Sequence, residues 1–584
     1  MNAGITLVKE RKLKIMDNRR QRKNNRPINH CLTAGLVLFM ATAPLTALAL
    51  EGPDAGKTLE GLKKPGLAQP QKDYKDIVIQ QPPLSDKADN TTRFPIDKFR
   101  LTGEIPIPES QLQALLQDSL NQELTLADLN TLAAKISTYL HNQGYIVAAA
   151  YIPAQTIQNG IVELNIIPGK YGKIIVEDNN VLASTQAKSL IASLKPGNII
   201  RKPDLERALL LLNDLAGVQI KAVLSPGIQS GTSDLTIEIN ASRETNGVIY
   251  FDNYGNKFTG TNRLGVAVNL NNPFHQGDTL AFSGITTGSG LNNYGLSYQL
   301  PLGGGWNWGV SYAHTRYALG KDFDSLDASG TADTTGIYIS YPFLRSYNAN
   351  ISGRIGYDHK KLVDDIGASD THTPKQTNAL SIGLTGNWQE KGTAYTAYDL
   401  TYTSGQLGFD NSVDSDNDAL TAQSQGSYHK TVLKLNRRQY LSNRLSLGLF
   451  FTGQYAGKNL DSSEKLSLGG ANGVRAYPQG EACGDQGYQF TGEFDWQLPL
   501  KNSKDNLALA LFYDQGSITT NKNLWNGVTG DNHRTLSGLG MGIILNRAEE
   551  YSLRMDYAWK LSSAAATSDT DKNGRFWLQA LKYF

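Results

Sequence analysis

The sequence predicts a membrane β-barrel of about 16 antiparallel strands, preceded by two small α+β repeats. Three observations lead to this prediction. Residues 247–584 alternate between apolar and polar side chains, the connections in that region alternate in length, and residues 94–240 contain an internal repeat. The composition agrees, because the 584 residues include 57 glycines and 27 tyrosines. A mean hydropathy of −0.35 excludes a bundle of transmembrane helices.

Alternation is the first signal of a barrel. From Tyr488 to Leu498, apolar or small residues occupy every second position and polar residues occupy the others. An apolar face opposite a polar or small face is typical of an outer-membrane strand. The same period occurs in Leu445–Phe451 and in Leu507–Phe512. These patterns predict strands that start near residues 247, 263, 278, 293, 306, 335, 348, 378, 392, 427, 444, 487, 506, 536, 551 and 575.

Connection length is the second signal. Short connections such as Pro301–Gly305 and Pro342–Tyr347 alternate with long ones such as Ala318–Thr334, His359–Thr377 and Ala456–Gln486. Bacterial barrels have short turns at one end and long loops at the other, whereas a soluble β-sandwich has no reason to sort its loops in this way. The region from residue 243 to residue 584 is therefore predicted to be the barrel.

The internal repeat has an offset of 73 residues, which relates Gly144 to Gly217 and Pro153 to Pro226. Each unit contains a strand, two helices and two further strands, and the predicted units are residues 93–170 and 171–242. A single larger α/β domain is the alternative. The predicted helices are Glu109–Asn121, Leu126–Asn142, Ala187–Leu194 and Pro203–Leu215, and the predicted strand pairs are Ile146–Ile152 with Ile161–Ile167 and Ile220–Leu224 with Leu235–Ile239.

The N-terminal segment has the features of a secretion signal. Residues 1–49 are first basic and then uncharged, and they end in Ala47-Leu48-Ala49, which predicts cleavage after Ala49. An uncleaved anchor is the alternative. Removal of this segment leaves 47 basic and 52 acidic residues, so the net charge becomes −5 and disfavours a nucleic-acid-binding protein. Residues 50–92 are polar and Pro-rich, which predicts a linker.

The sequence predicts no enzymatic activity, no cofactor and no metal site. Of two cysteines, Cys31 lies in the predicted signal and only Cys483 remains, too few for a disulfide or a Cys-rich metal site. No metal-binding His-Glu-x-x-His pattern and no phosphate-binding loop occur. Asp414–Asp418 resembles the start of a calcium loop, but Ala419 and Gln425 replace the required Gly and Glu. A solvated loop is predicted there.

Two short motifs in the C-terminal half carry a resemblance to a known family. Val474-Arg475-Ala476-Tyr477 lies in the long sixth outer connection, and Phe512-Tyr513-Asp514-Gln515-Gly516 ends the thirteenth predicted strand. The sequence resembles the two-partner secretion transporters, which are the hemolysin secretion/activation proteins of Gram-negative bacteria. In that family the motifs read Val-Arg-Gly-Tyr and Phe-x-Asp-x-Gly, so Ala476 departs from the pattern. The repeats resemble polypeptide-transport-associated (POTRA) domains.

The resemblance implies an outer-membrane pore with periplasmic N-terminal domains. Such a pore exports one large exoprotein (an adhesin, hemolysin or contact-dependent toxin), whose N-terminal secretion domain meets the POTRA units. Outer-membrane lipid and the barrel-assembly machinery are the other implied partners, and no nucleic acid is implied. The family also implies a plug helix in the pore, near Leu59–Lys64 here. A barrel-assembly insertase of the same superfamily and a passive porin-type channel are the alternatives.

The motifs also predict a contact inside the barrel. Leu509 and Leu511 face lipid by alternation, so Phe512 and Asp514 face the lumen. A connection of about 30 residues is long enough to fold back into the barrel. We therefore expect Arg475 to pair with Asp514, and Glu493 on the neighbouring strand to be a second partner. A guanidinium group suits this role because its planar fork can bind a carboxylate bidentately.

Overall fold

The structure is a computed structural model that describes residues 53–60, 62, 78–79, 92–501, 503–528 and 530–584. The predicted signal peptide and its cleavage site at Ala47 and Ala49 lie outside the described residues. Within the described part of the chain, none of the helices has the length and hydropathy to cross a membrane.

Two short elements precede the repeats. They are α1 (Ala55–Glu60) and β1 (Val78–Ile79). Helix α1 begins four residues before the predicted plug helix Leu59–Lys64 and includes its first two residues, whereas residues 61, 63 and 64 lie outside the described residues. Its early start follows from a specific contact, because the backbone N–H of Ala55 donates to Asp364 Oδ1 at 2.8 Å. Strand β1 lies within the predicted linker, where no strand was expected.

The first repeat packs two helices against a three-stranded sheet of order β3-β6-β5, in which β3 and β6 are parallel. Its longest helix begins with a capping box between Thr125 and Asp128. Its apolar face includes Leu129, Ile136 and Leu140. The elements are β2 (Arg93–Ile96), β3 (Lys98–Gly103), α2 (Glu109–Leu116), β4 (Gln122–Thr125), α3 (Leu126–Asn142), β5 (Ala149–Tyr151) and β6 (Ile161–Ile167).

The second repeat has the same arrangement, because its first strand, β7, pairs in parallel with its last strand, β9. Strand β8 lies between β9 and the linker strand, so the sheet order is β1-β8-β9-β7. Its core includes Leu205, Leu209 and Ile237, each with no exposed surface. The elements are β7 (Lys170–Asp178), α4 (Ser184–Leu190), α5 (Lys202–Asn213), β8 (Val218–Pro226) and β9 (Thr232–Ala241).

Sixteen antiparallel strands form a closed barrel, because β10 pairs with both β11 and β27. The predicted number of strands is confirmed. The remaining elements in chain order are β10 (Thr245–Asp252), β11 (Arg263–Asn271), β12 (Thr279–Thr286), β13 (Leu291–Gly303), β14 (Trp306–Ala318), β15 (Ala328–Arg345), β16 (Ala349–Ile366), β17 (Thr371–Glu390), β18 (Ala394–Phe409), α6 (Ser412–Leu420), β19 (Gly426–Tyr440), β20 (Leu445–Ala456), β21 (Leu466–Ser467), β22 (Cys483–Gly484), β23 (Gln486–Leu498), β24 (Asn506–Thr519), β25 (His533–Arg547), β26 (Tyr551–Lys560) and β27 (Gly574–Tyr583).

Three predicted connections are wrong in extent or structure. Most of His359–Thr377 and about half of Ala318–Thr334 is strand, because β15, β16 and β17 extend over 18, 18 and 20 residues. Their outer ends carry polar side chains on both faces, as Lys360, Lys361, Asp364 and Asp365 show, so they lack the alternation that marks strand within lipid. The aspartate-rich stretch predicted as a solvated loop is instead helix α6.

The second repeat contacts the short turns of the barrel. Arg345, at the end of β15, donates two hydrogen bonds of 2.7 and 2.6 Å to the carboxylate of Asp214. Arg207 donates to the carbonyl oxygen of Pro342 at 2.8 Å, and Glu206 accepts from the backbone N–H of Tyr347 at 2.5 Å. The short turns therefore lie at the end of the barrel that faces the repeats.

The core of the second repeat yields a stability prediction. Leu209→Ala should lower the free energy of unfolding of this repeat by about 2–5 kcal/mol, because Leu209 is fully buried and the change leaves a cavity. The measurement is the urea concentration at which protease cleaves the repeats in the intact chain. Ile228→Ala is the control, since Ile228 is 86% exposed, and equal sensitivity of both variants would contradict the prediction.

Candidate functional site

The connection between β20 and β23, residues 457–485, folds back against the inner face of β24, β25 and β26. Its central residues Leu468, Val474, Ala476 and Tyr477 have no exposed surface. Its tip is closed by hydrogen bonds from the Val474 N–H to the Leu468 carbonyl (2.7 Å) and from the Tyr477 N–H to the Val474 carbonyl (3.0 Å). We call residues 457–485 the lumen loop.

Arg475, at the tip of the lumen loop, binds Asp514 on β24 bidentately. Its Nε donates to Asp514 Oδ2 and its Nη2 donates to Asp514 Oδ1, both at 2.9 Å. The backbone N–H of Arg475 also donates to Asp514 Oδ2 at 3.2 Å. Thr491 on β23 donates to Asp514 Oδ1 at 2.8 Å. The fully buried Asp514 carboxylate is thus held by both the loop and the barrel wall.

The remaining Arg475 nitrogen reaches two further carboxylates. Its Nη1 donates to Glu493 Oε2 at 2.9 Å and to Asp556 Oδ2 at 3.3 Å. Arg554 on β26 donates to the same two side chains, at 2.7 Å to Glu493 and 2.8 Å to Asp556. Two guanidinium groups therefore face three carboxylates in a buried cluster, which we call the latch cluster (Arg475, Glu493, Asp514, Arg554 and Asp556).

Aromatic groups enclose Arg475 on two sides. Its guanidinium carbon lies 3.2 Å from the centre of the Phe512 ring, where the ring face attracts a cation. Trp577 on β27 donates from Nε1 to the carbonyl oxygen of Arg475 at 2.7 Å. Both the side chain and the backbone of Arg475 are therefore fixed.

Burial makes the latch cluster sensitive to the loss of its four buried members, Arg475, Glu493, Asp514 and Asp556, whereas the Arg554 side chain is 27% exposed. Removing one partner of a buried, hydrogen-bonded ion pair costs about 3–5 kcal/mol, because the other charge remains without compensation. The exposed fraction of Arg475 is 5% and that of Asp514 is 0%. The Arg475–Asp514 pair therefore differs from an exposed ion pair, which contributes only about 0–1 kcal/mol.

Glycines on the barrel wall provide the space that the lumen loop occupies. A Cβ atom at Gly538 on β25 would lie 2.6 Å from the Cβ of Ala476, and one at Gly516 on β24 would lie 2.7 Å from Leu468 Cδ2. Ala476, which replaces the family's glycine, is fully buried and has no positive φ. The departure at Ala476 is accommodated because the wall residue opposite it is Gly538.

A second set of contacts joins the lumen loop to the neighbouring outer connection, residues 561–573. The hydroxyl of Tyr477 is 2.7 Å from Ser562 Oγ and donates to the Ala564 carbonyl at 2.9 Å. Glu481 accepts hydrogen bonds from Thr567 and Ser568 and pairs with Arg534 on β25. These contacts close the outer side of the loop.

The start of the lumen loop is held by lysines of the opposite wall. Lys375 on β17 lies 2.7 Å from Asp461, and Lys360 and Lys430 lie 2.6 and 2.8 Å from Glu464. Burial favours protonation of Glu464, but the ammonium groups of Lys430 and Lys360 outweigh it and lower the pKa of Glu464 to about 2. The carboxylate therefore stays ionised at neutral pH.

Helix α1 lies in the lumen beside this part of the loop. Ala55 has no exposed surface, and Gly56 packs so closely on Ser462 that a Cβ there would overlap the serine. The Asp364 carboxylate that accepts from the Ala55 N–H is also 3.9 Å from Lys375 Nζ. The helix and the lumen loop thus share contacts with the same wall.

The seven defined positions of the two motifs and Glu493 all lie at this site. Val474, Arg475, Ala476 and Tyr477 form the loop tip, Phe512 and Asp514 contact Arg475, Glu493 is the second carboxylate, and Gly516 accommodates Leu468. Sequence reasoning missed Arg554, Asp556 and Trp577. Alternation gives a signal for the first two, because they lie on β26 opposite a face formed by Leu553, Met555, Tyr557 and Trp559.

The fit of Ala476 against Gly538 gives a testable prediction. Gly538→Ala should displace the lumen loop and lower the temperature at which the barrel unfolds, since overpacking of this kind costs about 1–3 kcal/mol. Adding Ala476→Gly should restore much of the loss, although the Trp559 carbonyl at 3.1 Å also limits the space. Heat-modifiable mobility measures the unfolding temperature, and equal temperatures for the single and double variants would contradict this packing.

Comparison with known proteins agrees with this architecture. Residues 231–545 match the family model described as haemolysin secretion/activation protein ShlB/FhaC/HecB, and residues 94–169 match the ShlB-type POTRA domain. The chain is 28% identical over 549 residues to the heme/hemopexin transporter protein HuxB of Haemophilus influenzae, which covers 92% of this chain and 96% of HuxB.

A further relative and a solved structure both carry the name CdiB. The outer membrane transporter CdiB of Dickeya dadantii is 24% identical over 475 residues, covering 78% of this chain and 82% of the relative. The solved structure of CdiB from Escherichia coli superimposes with a TM-score of 0.67 at 18% identity, covering 86% of this chain and 93% of that one. The chain therefore belongs to the ShlB/FhaC/HecB family of haemolysin secretion/activation proteins, outer-membrane barrels whose N-terminal repeats lie in the periplasm.

Proposed function

We propose that the chain is the outer-membrane pore that exports one large partner exoprotein by two-partner secretion. The observation that carries this proposal is a barrel whose lumen is occupied by the chain's own loop and α1, while its short turns contact the second repeat. A pore that stays closed until cargo arrives from the periplasm requires both features. The exported protein would be an adhesin, a hemolysin or a contact-dependent toxin.

The N-terminal secretion domain of the exoprotein would meet the two repeats first, and the second repeat would pass it to the pore. No ATP is available in the periplasm, so folding of the exported protein outside the cell would make transport directional. Outer-membrane lipid would surround the exposed apolar faces of the strands, and the barrel-assembly machinery would insert the barrel. The chain would act as a transporter, with no catalytic step.

The latch cluster would control the position of the lumen loop during export. The Arg475 guanidinium group binds Asp514, Glu493 and Asp556 together, and this fixes one position of the loop before export begins. Because the cluster has one more negative than positive charge, the Arg475 side chain would be attracted back to it after displacement.

Two other functions fit the fold less well. A passive porin-type channel has no need of two α/β repeats that contact its turns. A barrel-assembly insertase of the same superfamily typically carries more repeats than the two present here. The contacts between the second repeat and the barrel turns, which are Arg207 with Pro342 and Asp214 with Arg345, therefore favour secretion of a partner protein.

The decisive experiment uses the neighbouring reading frame, which should encode a very large exported protein. Coexpression of that protein with this chain should release it into the medium, and deletion of residues 171–240 should abolish release while the barrel still inserts. Heat-modifiable mobility would verify insertion. Normal release from the deleted form would contradict the proposed role of the second repeat, and no release with the intact chain would contradict export.

Helix α1 gives a prediction about conductance. Deletion of residues 53–62 should raise the single-channel conductance in planar bilayers, since a 16-stranded barrel is otherwise wide enough for an aqueous channel. Ile228→Ala, a change at an exposed position of the second repeat, serves as the control. An unchanged conductance in the deleted form would mean that α1 does not limit ion flow.

The Arg475–Asp514 pair gives a prediction about secretion. Arg475→Ala and Asp514→Ala should each reduce release of the exoprotein by about tenfold or more, and the double variant should be no worse than either, because one interaction is lost in all three. Release would be measured at matched barrel levels. Arg444→Ala, in an exposed turn, is the control. Two results would show that the Arg475–Asp514 pair has no role in export. Arg475→Ala could release as much exoprotein as the wild-type chain, or the defect of the double variant could equal the product of the two single defects.

A further inference from the structure

A set of three side chains occurs twice on the outward faces of the barrel strands. Strand β14 contains Tyr312-Ala313-His314-Thr315-Arg316, and β16 contains Tyr357-Asp358-His359-Lys360-Lys361, 45 residues later. In both segments a tyrosine, a histidine and a basic residue occupy every second position, so the three share one face of the strand. The residues between them face the lumen, as the ion pair of Lys360 with Glu464 of the lumen loop shows. The repeated side chains therefore face away from the lumen.

The histidine of the first set is held by the neighbouring strand. His314 Nδ1 donates to Asp333 Oδ1 at 2.8 Å, and the hydroxyl of Tyr312 donates to the same oxygen at 2.6 Å. Asp333, on β15, is the register partner of His314 on one side and of Lys361 on the other. One carboxylate therefore lies between the two sets and orients the first imidazole ring.

The histidine of the second set is held in the same way. His359 Nδ1 donates to Asn378 Oδ1 on β17 at 2.8 Å, and the hydroxyl of Tyr357 donates to the same oxygen at 2.9 Å. Asn378 follows Asp333 by the same 45 residues. In both sets the ring uses Nδ1 within the barrel wall, and among the described residues no hydrogen bond engages Nε2. The Nε2 atoms are therefore available to a group outside the wall.

The outward face of β16 changes in a regular order from the short turn towards the outer end. Ile355, which is 51% exposed, is followed at every second residue by Tyr357, His359 and Lys361. Apolar side chains suit the hydrocarbon of a membrane, tyrosine rings suit its interface, and basic side chains suit anionic headgroups. The outward face of β14 has the same order from its tyrosine to its basic residue. The histidines and basic side chains therefore lie at the level of the headgroups of the outer leaflet.

The two basic side chains are free to bind an anion. Arg316 and Lys361 are exposed, and among the described residues neither side chain forms a hydrogen bond or an ion pair. They lie on strands that are two apart, about 10 Å across the sheet. The acidic side chains nearby are already bound, because Asp333 accepts from the first set and Asp365 pairs with His372 at 2.6 Å.

The series of tyrosines continues for one more strand pair without its basic residue. Tyr402 on β18 follows Tyr357 by 45 residues, and its ring stacks on His429 of β19 with the centroids 6.5 Å apart. His429 lies opposite Ser404, the position of the histidine in the other two sets. Gln406 occupies the position of the basic residue. The cationic part of this surface is therefore confined to β14 and β16.

We infer that the outward faces of β14 and β16 form a binding site for the phosphate groups of a glycolipid in the outer leaflet. The outer leaflet of a Gram-negative outer membrane consists of a phosphorylated glycolipid, lipopolysaccharide, which has two phosphates on its lipid A disaccharide. The guanidinium group of Arg316 suits a phosphate because its planar fork can bind two oxygens. The ammonium group of Lys361 binds the second phosphate, and the imidazole Nε2 atoms contact the sugars between them.

Native mass spectrometry of the purified full chain in detergent, titrated with diphosphorylated lipid A, tests this site. The double variant Arg316→Gln with Lys361→Gln should bind lipid A at least about tenfold more weakly than the wild-type chain, because both cations are lost. The control is Lys391→Gln with Arg444→Gln, which removes two exposed charges from short turns at the other end of the barrel. This control should bind as the wild-type chain does. Equal affinity of the Arg316→Gln, Lys361→Gln variant and the wild-type chain would overturn the inference.

A comparison of ligands on the wild-type chain tests the same site without any substitution. Diphosphorylated lipid A should bind at least about tenfold more tightly than the same lipid A without its phosphates. Equal affinity for the two lipids would overturn the inference, because acyl chains and sugars would then account for binding. Neither measurement uses an exoprotein, so the result for this site is independent of whether the chain exports one.

Discussion

The buried guanidinium group of Arg475 is the interaction on which the arrangement of the lumen depends. A charge removed from water is tolerated only where carboxylates and hydrogen bonds compensate for it. Asp514 binds it at two positions, and Glu493 and Asp556 satisfy its third nitrogen. Because these carboxylates come from β23, β24 and β26, one side chain of the lumen loop joins three strands of the barrel wall.

The wall around this group is shaped to admit the loop. Phe512 can lie against Arg475 because its neighbour across the strand pair is Gly540, on which the ring rests. Ala476 fits because Gly538 carries no side chain. The same loop contacts α1 through Ser462. The latch cluster, the lumen loop and the helix are therefore in contact with one another and together occupy the lumen. Export of a polypeptide would require all three to move.

Much of this architecture follows from the sequence, and the exceptions have physical causes. Alternation gives the number of strands. It also places Asp514 in the lumen, because Leu509 and Leu511 face lipid and Asp514 is an odd number of residues away from each of them. Arg554 and Asp556 carry the same signal on β26 and were missed because no motif marks them. The outer ends of β15, β16 and β17 lie beyond the lipid and lack alternation. Strand β1 and helix α1 are too short to have a period, and only tertiary contacts define them.

Hydrogen exchange of the lumen loop is the most direct test of the central claim. The amide groups of residues 466–484 should exchange slowly in the wild-type protein, since the latch cluster holds them against the wall. In Arg475→Ala, their protection should fall by about a hundredfold or more, while the amides of β23 and β24 remain protected. Unchanged protection of the loop in Arg475→Ala would contradict the account, because the loop would then be held by other contacts.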